Sequence, residues 1–344
     1  MQPNTLVRTR IHPRLALDWI CEFEAVIQQQ PDWEIRSGLP PISPLKITAR
    51  IVFWLARAIE FALRLLPIRW SKRNYFCVGY LAPHYVIYKT FPYFCLPHSL
   101  RMLWIYDARE KEYARIEMLV KKHRINIAFI SSFQSAQYFR QLNLKDFASY
   151  WIPEAITVSN HRYKPYRERT IDVIQLGRRW DPYHEKIQPF CQSQGIVYLY
   201  EKMKGELIFP TREEYLKGLS TSKISICVPL SVTHPASAGG IATMTWRYLE
   251  SMASRCLILG VLAAEMEQLF DYNPIIEIDF ARPCEQLLDL LRHFESYLDL
   301  IEKNYEYVTT NHQWTNRLQK INEHIAEFSR ERVASAAGRK WGRV

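Results

Sequence analysis

The chain has 344 residues, 48% of them hydrophobic and 23% charged, too long for one ordinary core and too apolar for a disordered chain, so two domains are expected. Its seven cysteines are odd in number and form no CxxC pair, which argues against a disulfide framework or zinc knuckle and fits a reducing cytoplasm. The net charge of +10 favours anionic partners, but nothing resembling a nucleic-acid module accompanies it, neither paired Cys and His nor a basic region ahead of heptads.

The opening MQPNTLVRTRIHPR is polar and basic with no apolar run behind it, and predicts no signal peptide. Periodicity leaves 1–45 unclassified apart from a short helical stretch at 15–29, followed by Pro31, Pro40, Pro41 and Pro44 as a loop. A long helix is predicted over 46–64, KITARIVFWLARAIEFALR. Lys46, Arg50, Arg57, Glu60 and Arg64 share an arc of about 80° and the rest is nearly all apolar. Two readings fit it. Most of its surface packs into the N-terminal domain, or 46–73, with seven basic residues against Glu60, touches an anionic membrane surface.

Strand-like runs follow at 75–79, 85–88 and 102–105, then a helix at 110–123, a strand at 125–130, a helix at 135–143 and an exit at 147–153. Further on, strands are predicted at 172–176, 196–200, 225–230, 257–259 and 275–279. Helices alternate with them, one opened by a Thr211/Glu214 capping box, and longer ones cover 285–303 and 315–328. Such alternation is the signature of doubly wound parallel sheets. The tail, 331–344, is expected to be disordered.

Three segments could carry chemistry. In LGRRW (176–180) a glycine directly after a strand permits a sharp turn where open α/β sheets bind ligands, and Arg178 or Arg179 would offer a diphosphate a fork of donors. Two solvated arginines at a strand end are the alternative. In 231–260, a loop of small residues with Gly239, Gly240 and Thr243 leads to a helix carrying Arg247 and Glu250; an anion site at that helix N-terminus, or a plain Arg–Glu surface pair, would use those residues. Among ten histidines no pair has compact metal spacing, so no metal is expected. His234, after a strand, and His98 and Asp107, flanking one, are weak catalytic candidates whose ordinary reading is a satisfied polar residue. No GxSxG elbow is present.

Three stretches resemble the GT-B glycosyltransferases, in particular the bacterial spore-maturation-like sugar transferases. IDVIQLGRR (171–179) is similar to their first donor-domain strand and its arginine. TWRYLESMASRCLILG (245–260) is similar to the R-x-x-E-x-x-A-x-G donor helix. In YEYVTTNHQWTNRLQKI (305–321), His312, Trp314 and Arg317 match the closing segment. WIPEAITV (151–158) sits at the crossover between domains, and RMLWIYDAREKEY (101–113) is a looser match.

The resemblance implies an α/β GT-B fold of two Rossmann-like doubly wound domains facing a cleft. An acceptor domain would span 1–150 and a nucleotide-sugar domain 151–310, with a helix at 311–330 returning to the first. It further implies a UDP-, GDP- or ADP-sugar donor bound without a metal, Arg178 on the diphosphate, Arg247 and the 239–243 loop near the phosphates, and Glu250 on the ribose. A glycan, lipid-linked or small-molecule acceptor and a cytoplasmic place, on the inner face of the membrane if 46–73 binds it, complete the expectation. The chain departs from the family at Ala242, where retaining members carry a glutamate, at Arg255, where glycine is usual, and in lacking a lysine five residues beyond Arg178. A catalytically silent binding protein of the same fold, or another nucleotide-binding or nucleic-acid-binding protein, is the alternative.

Overall fold

A computed structural model describes residues 3–8, 18–38, 46–66, 73–79, 90–96, 100–106, 108–203 and 206–341, without the side chains of 46–50, 53, 64, 79 and 335–341. The chain divides into two compact units, Met1–Pro153 with Trp314–Val344, and Glu154–Gln313.

In the first unit six strands pair in parallel among the described residues: β1 (Asn4–Arg8), β2 (Trp33–Ser37), β3 (Asn74–Gly79), β4 (Leu100–Ile105), β5 (Ile127–Ile130) and β6 (Ala148–Trp151). Their order is β2-β1-β3-β4-β5-β6. Residues 1–45, opaque to periodicity, therefore hold two strands, one of them interior. β1 is only NTLVR, but Leu6 and Val7 are fully buried because β2 and β3 cover both its edges. The strand expected at 85–88 lies outside the described residues.

The second unit repeats the plan with β7 (Ile171–Gln175), β8 (Tyr198–Tyr200), β9 (Ser222–Cys227), β10 (Leu257–Gly260) and β11 (Ile276–Glu277), ordered β11-β10-β9-β7-β8 and all parallel. Each strand presents alternate residues to opposite faces. Ile258 packs with Tyr248, Leu249 and Met252 on one side, while Leu257 and Leu259 pack with Tyr183, Ile187 and Leu287 on the other. Helices thus cover both faces, as a parallel sheet requires.

Two expectations are corrected. The helix predicted over 285–303 is two helices, Pro283–Arg292 and Leu298–Asn311, separated by a 3-10 turn at Phe294–Tyr297. The turn brings Phe294 into the core, where it is buried. The tail expected to be disordered from 331 is instead helical to Trp341, continuing the helix that starts at Trp314; Ala334, Ala336 and Ala337 are strong helix formers.

That last helix belongs to the first unit. Trp314 is fully buried and lies parallel to Phe23 at 4.5 Å, with Trp104 edge-on at 5.7 Å. Arg317 Nε donates to the Pro153 carbonyl at 3.0 Å, and His324 stacks on Tyr150 at 3.9 Å. Replacing Trp314 by alanine removes the centre of this aromatic group. We expect it to cost on the order of 3–5 kcal/mol, read as a lower urea midpoint; an unchanged midpoint would mean that the helix adds nothing to the unit's stability.

Candidate functional site

The second sheet runs in the sense 2-1-3-4-5, so the connections from adjacent β7 and β9 leave toward opposite faces and open a crevice at their carboxyl ends. The two segments singled out in the sequence begin there. β7 ends at Gln175, and after Leu176 the backbone turns at Gly177 with φ +70°. That left-handed conformation favours glycine, and an added Cβ would strike the Arg247 guanidinium. Arg247 lies across the turn and donates Nη1 to the Leu176 carbonyl. The Gly177 N–H donates to Glu201 Oε1 at 3.0 Å. Burial raises the Glu201 carboxyl pKa, and the Gly177 N–H and the Arg247 charge oppose the rise.

The two neighbouring arginines behave differently. Arg179 is committed to the protein, donating to Asp181 at 2.6 Å and to the Glu201 carbonyl at 3.2 Å. Arg178 is partly exposed at the same turn.

After β9 the chain forms two single helical turns, Leu230–Thr233 and Pro235–Ala238, rather than one extended loop. His234, between them, is exposed, and its carbonyl accepts from the Ser237 and Ala238 amides. This is the ordinary role for a junction residue. Gly239 and Gly240 are exposed and Thr243 is partly exposed. The stretch 242–244 is fixed by Glu265, which is 6% exposed: its N–H donates to the Ala242 carbonyl at 3.2 Å and its carboxylate accepts the Met244 N–H at 2.9 Å. The helix Trp246–Ala253 then starts from Thr245, whose side chain makes no capping bond.

Glu250 is not at the mouth of the site, where the sequence suggested it. It is 1% exposed, with Oε1 accepting from Arg212 at 2.5 Å and Oε2 from Tyr215 at 2.6 Å. Nor does it pair with Arg247 as a surface couple; Arg247 faces the Gly177 turn and Glu250 the helix Arg212–Ser220. Burial raises the Glu250 pKa, opposed chiefly by the Arg212 charge. Arg212 also lies 4.8 Å from the Trp246 ring centre. Sequence reasoning missed Glu201, Arg212, Tyr215 and Glu265, because their partners are dozens of residues away or reached only through the fold. The Thr211/Glu214 capping box does form, and it sets Arg212 on the first turn of its helix.

The departure at Arg255 has a structural meaning. Its φ of +53° is left-handed, which explains why glycine is usual there. Here the strain is offset by sandwiching the guanidinium between Tyr163 at 3.7 Å and Tyr305 at 3.9 Å. His312 Nε2 lies 3.3 Å from the Leu269 carbonyl oxygen. His98 and Asp107 lie outside the described residues, as do 9–17 and 80–89, which follow the corresponding strands β1 and β3 of the first sheet.

No protein-family model matches the chain, and no curated protein matches it. Solved structures do. The trehalose-6-phosphate phosphatase N-terminal domain of Candida albicans superposes with a TM-score of 0.59 at 10% identity, over 96% of this chain and 97% of that one. HepE of Anabaena, in complex with UDP, gives 0.58 at 8% identity over 95% and 100%. A sucrose-phosphate synthase from Thermosynechococcus elongatus gives 0.55 at 10% identity over 96% and 100%. At such identities the likeness is one of fold: the chain has the GT-B fold, with two Rossmann-like doubly wound α/β domains.

Beside this site His161 is buried, its Nδ1 3.2 Å from Ser254 Oγ, and burial together with the Arg212 charge pushes its pKa down to about 3. An unfolded histidine titrates near 6.5. Between these values the unfolded chain binds the extra proton, so stability is lost as pH falls from about 6.5 toward 3. Urea unfolding at pH 7, 6 and 5 should therefore show a shallower pH dependence for His161→Gln than for the parent. Equal slopes would sink this assignment.

Proposed function

We propose that the chain is a glycosyltransferase that takes a hexose from a nucleoside diphosphate sugar. The observation that carries this reading is the glycine turn at the switch point of a GT-B sheet. Arg178 is partly exposed at that turn, Arg247 ties the turn to the first turn of the helix Trp246–Ala253, and the loop leading to that helix carries exposed Gly239 and Gly240. HepE, of similar fold, was crystallised with UDP and with UDP-glucose.

In this proposal the diphosphate rests between Arg178, the amides of 239–243 and the amino end of Trp246–Ala253. Bond cleavage at the anomeric carbon leaves negative charge on the departing diphosphate. Fixed N–H dipoles and a guanidinium stabilise that charge most where water is scarce. Arg247, with one arm on Leu176 O, holds the turn and adds positive potential. Glu250 receives the ribose hydroxyls by exchange with Arg212, whose side chain is 22% exposed and can turn outward toward the phosphates. The acceptor, a glycan, a lipid-linked sugar or a small molecule, is assigned to the first unit.

Titration calorimetry with UDP, GDP, ADP and their sugars tests the donor. One nucleotide should bind, and Arg178→Ala and Glu250→Gln should each weaken it by about 1.5–3 kcal/mol, with an unchanged circular dichroism spectrum for Arg178→Ala. Undiminished affinity in both variants would refute the site. Ala242, where a carboxylate is usual in retaining relatives, favours one second reading, a protein that binds the donor without transferring it. Nucleotide affinity without release of nucleoside diphosphate to any glycan or lipid acceptor would identify that case.

A further inference from the structure

The helix Lys46–Leu65 carries its apolar face outward. Ile51, Trp54, Leu55, Phe61 and Leu65 are between 53% and 71% exposed, and the last four follow Ile51 by three, four, ten and fourteen residues, which lines them along one side. The opposite side faces the unit: Ala56 is buried against Cys95, with Ile59 and Phe91 beside it. Glu60 also points inward. It is 7% exposed and bonded to Arg57 at 2.6 Å, Arg101 at 3.1 Å and Arg124 at 3.3 Å. Each contact lies within the first unit. The helix is therefore inverted relative to one at a water interface, with its carboxylate inside and a tryptophan, a phenylalanine and three aliphatic residues outside.

We infer that this face is a docking surface for an anionic membrane, on which the helix lies in the plane of the headgroups. Charge selects this occupant. The segment 46–73 contains Lys46, Arg50, Arg57, Arg64, Arg69, Lys72 and Arg73 against one acid, Glu60, in a chain of net charge +10. Helical spacing sets positions 46, 50, 57 and 64 along the edge next to the apolar face. Because Glu60 is consumed by three arginines, it offers nothing to repel an acidic headgroup. An exposed Trp and Phe flanked by cations is the composition of an interfacial helix. No helix among the described residues is long and apolar enough to cross a membrane, so the contact is peripheral. Arg57 is paired with Glu60 and Arg73 with Glu34, and a second copy of the chain would still bring the same basic excess of this segment against itself. The surface is independent of the donor chemistry proposed above.

Co-sedimentation of the full chain with vesicles of phosphatidylcholine alone, and with added phosphatidylglycerol, tests the inference. The chain should pellet with the anionic vesicles, and at least about tenfold less with neutral ones or in high salt. The double variant Trp54→Glu with Phe61→Glu should lose binding to a similar extent while keeping the parent's melting temperature. If that variant does not fold, Trp54→Ser alone should reduce binding several-fold. Failure to bind anionic vesicles at low salt overturns the proposal, as does equal binding by the substituted chain. Light scattering that shows a dimer lost in the variant, with vesicle binding unaltered, would assign the face to a second copy instead.

Discussion

The candidate site depends on one contact, the Arg247 guanidinium lying across the backbone at Leu176 and Gly177. It joins the first turn of the helix after β9 to the end of β7, the two segments that flank the crevice of this sheet. The left-handed φ that turns the chain out of the sheet favours glycine at 177, and an added Cβ there would displace the Arg247 guanidinium. Glu201, at the end of β8, then takes the freed N–H of Gly177, so the turn is pinned from both sides. Arg178, the next residue, is partly exposed at the same turn.

Arginines perform the same task elsewhere in the chain. Arg169 donates to the carbonyls of Lys164, Ser222, Ser254 and Arg255, collecting chain ends where strand and helix leave carbonyls unpaired. Arg101 donates to His123 O and pairs with Glu60; burial pushes its pKa down to about 10 despite that partner. Burying such charge costs several kcal/mol per ion, and good geometry only offsets it. The return is in geometry rather than net stability: a planar fork fixes carbonyls from separate elements in one orientation. Glu250 fits this account. Its two oxygens are divided between Arg212 and Tyr215, so the helix Trp246–Ala253 is tied to the helix Arg212–Ser220.

The second unit was legible in the sequence because its elements carry local signals. Short apolar strands alternate with helices that announce their starts, as Thr211 and Glu214 do. β1 carries no such signal. Its five residues are polar at the ends, and what makes them a strand is the partner β3, some seventy residues on, a tertiary fact. The break at 293–297 was hidden for a related reason: Phe294 keeps an apolar rhythm that suits a continuous helix, but the core accepts it only after a turn. At the site, residue types and the glycine turn could be read, whereas the partners could not. Nothing in the sequence relates Glu250 to Arg212, or Glu265 to the backbone of 242–244, because these pairs meet only when adjacent strands and helices are stacked.

The helix Lys46–Leu65 shows where periodicity loses its meaning. A wheel with a narrow polar arc says that most of the surface avoids water, but not whether protein or lipid provides the shelter. Polarity normally settles this, since charges mark the outward side. Here the rule is reversed at its most informative residue. Glu60, the sole acid of the segment, is buried because Arg101 and Arg124, contributed by β4 and the end of the helix Tyr113–His123, wait for it inside. With the carboxylate drawn inward, helical geometry forces the residues opposite it outward, and those are Ile51, Trp54, Leu55, Phe61 and Leu65. The inward carboxylate and the outward tryptophan are thus two consequences of one choice, and the proposed membrane contact would cover the side that faces away from Glu60.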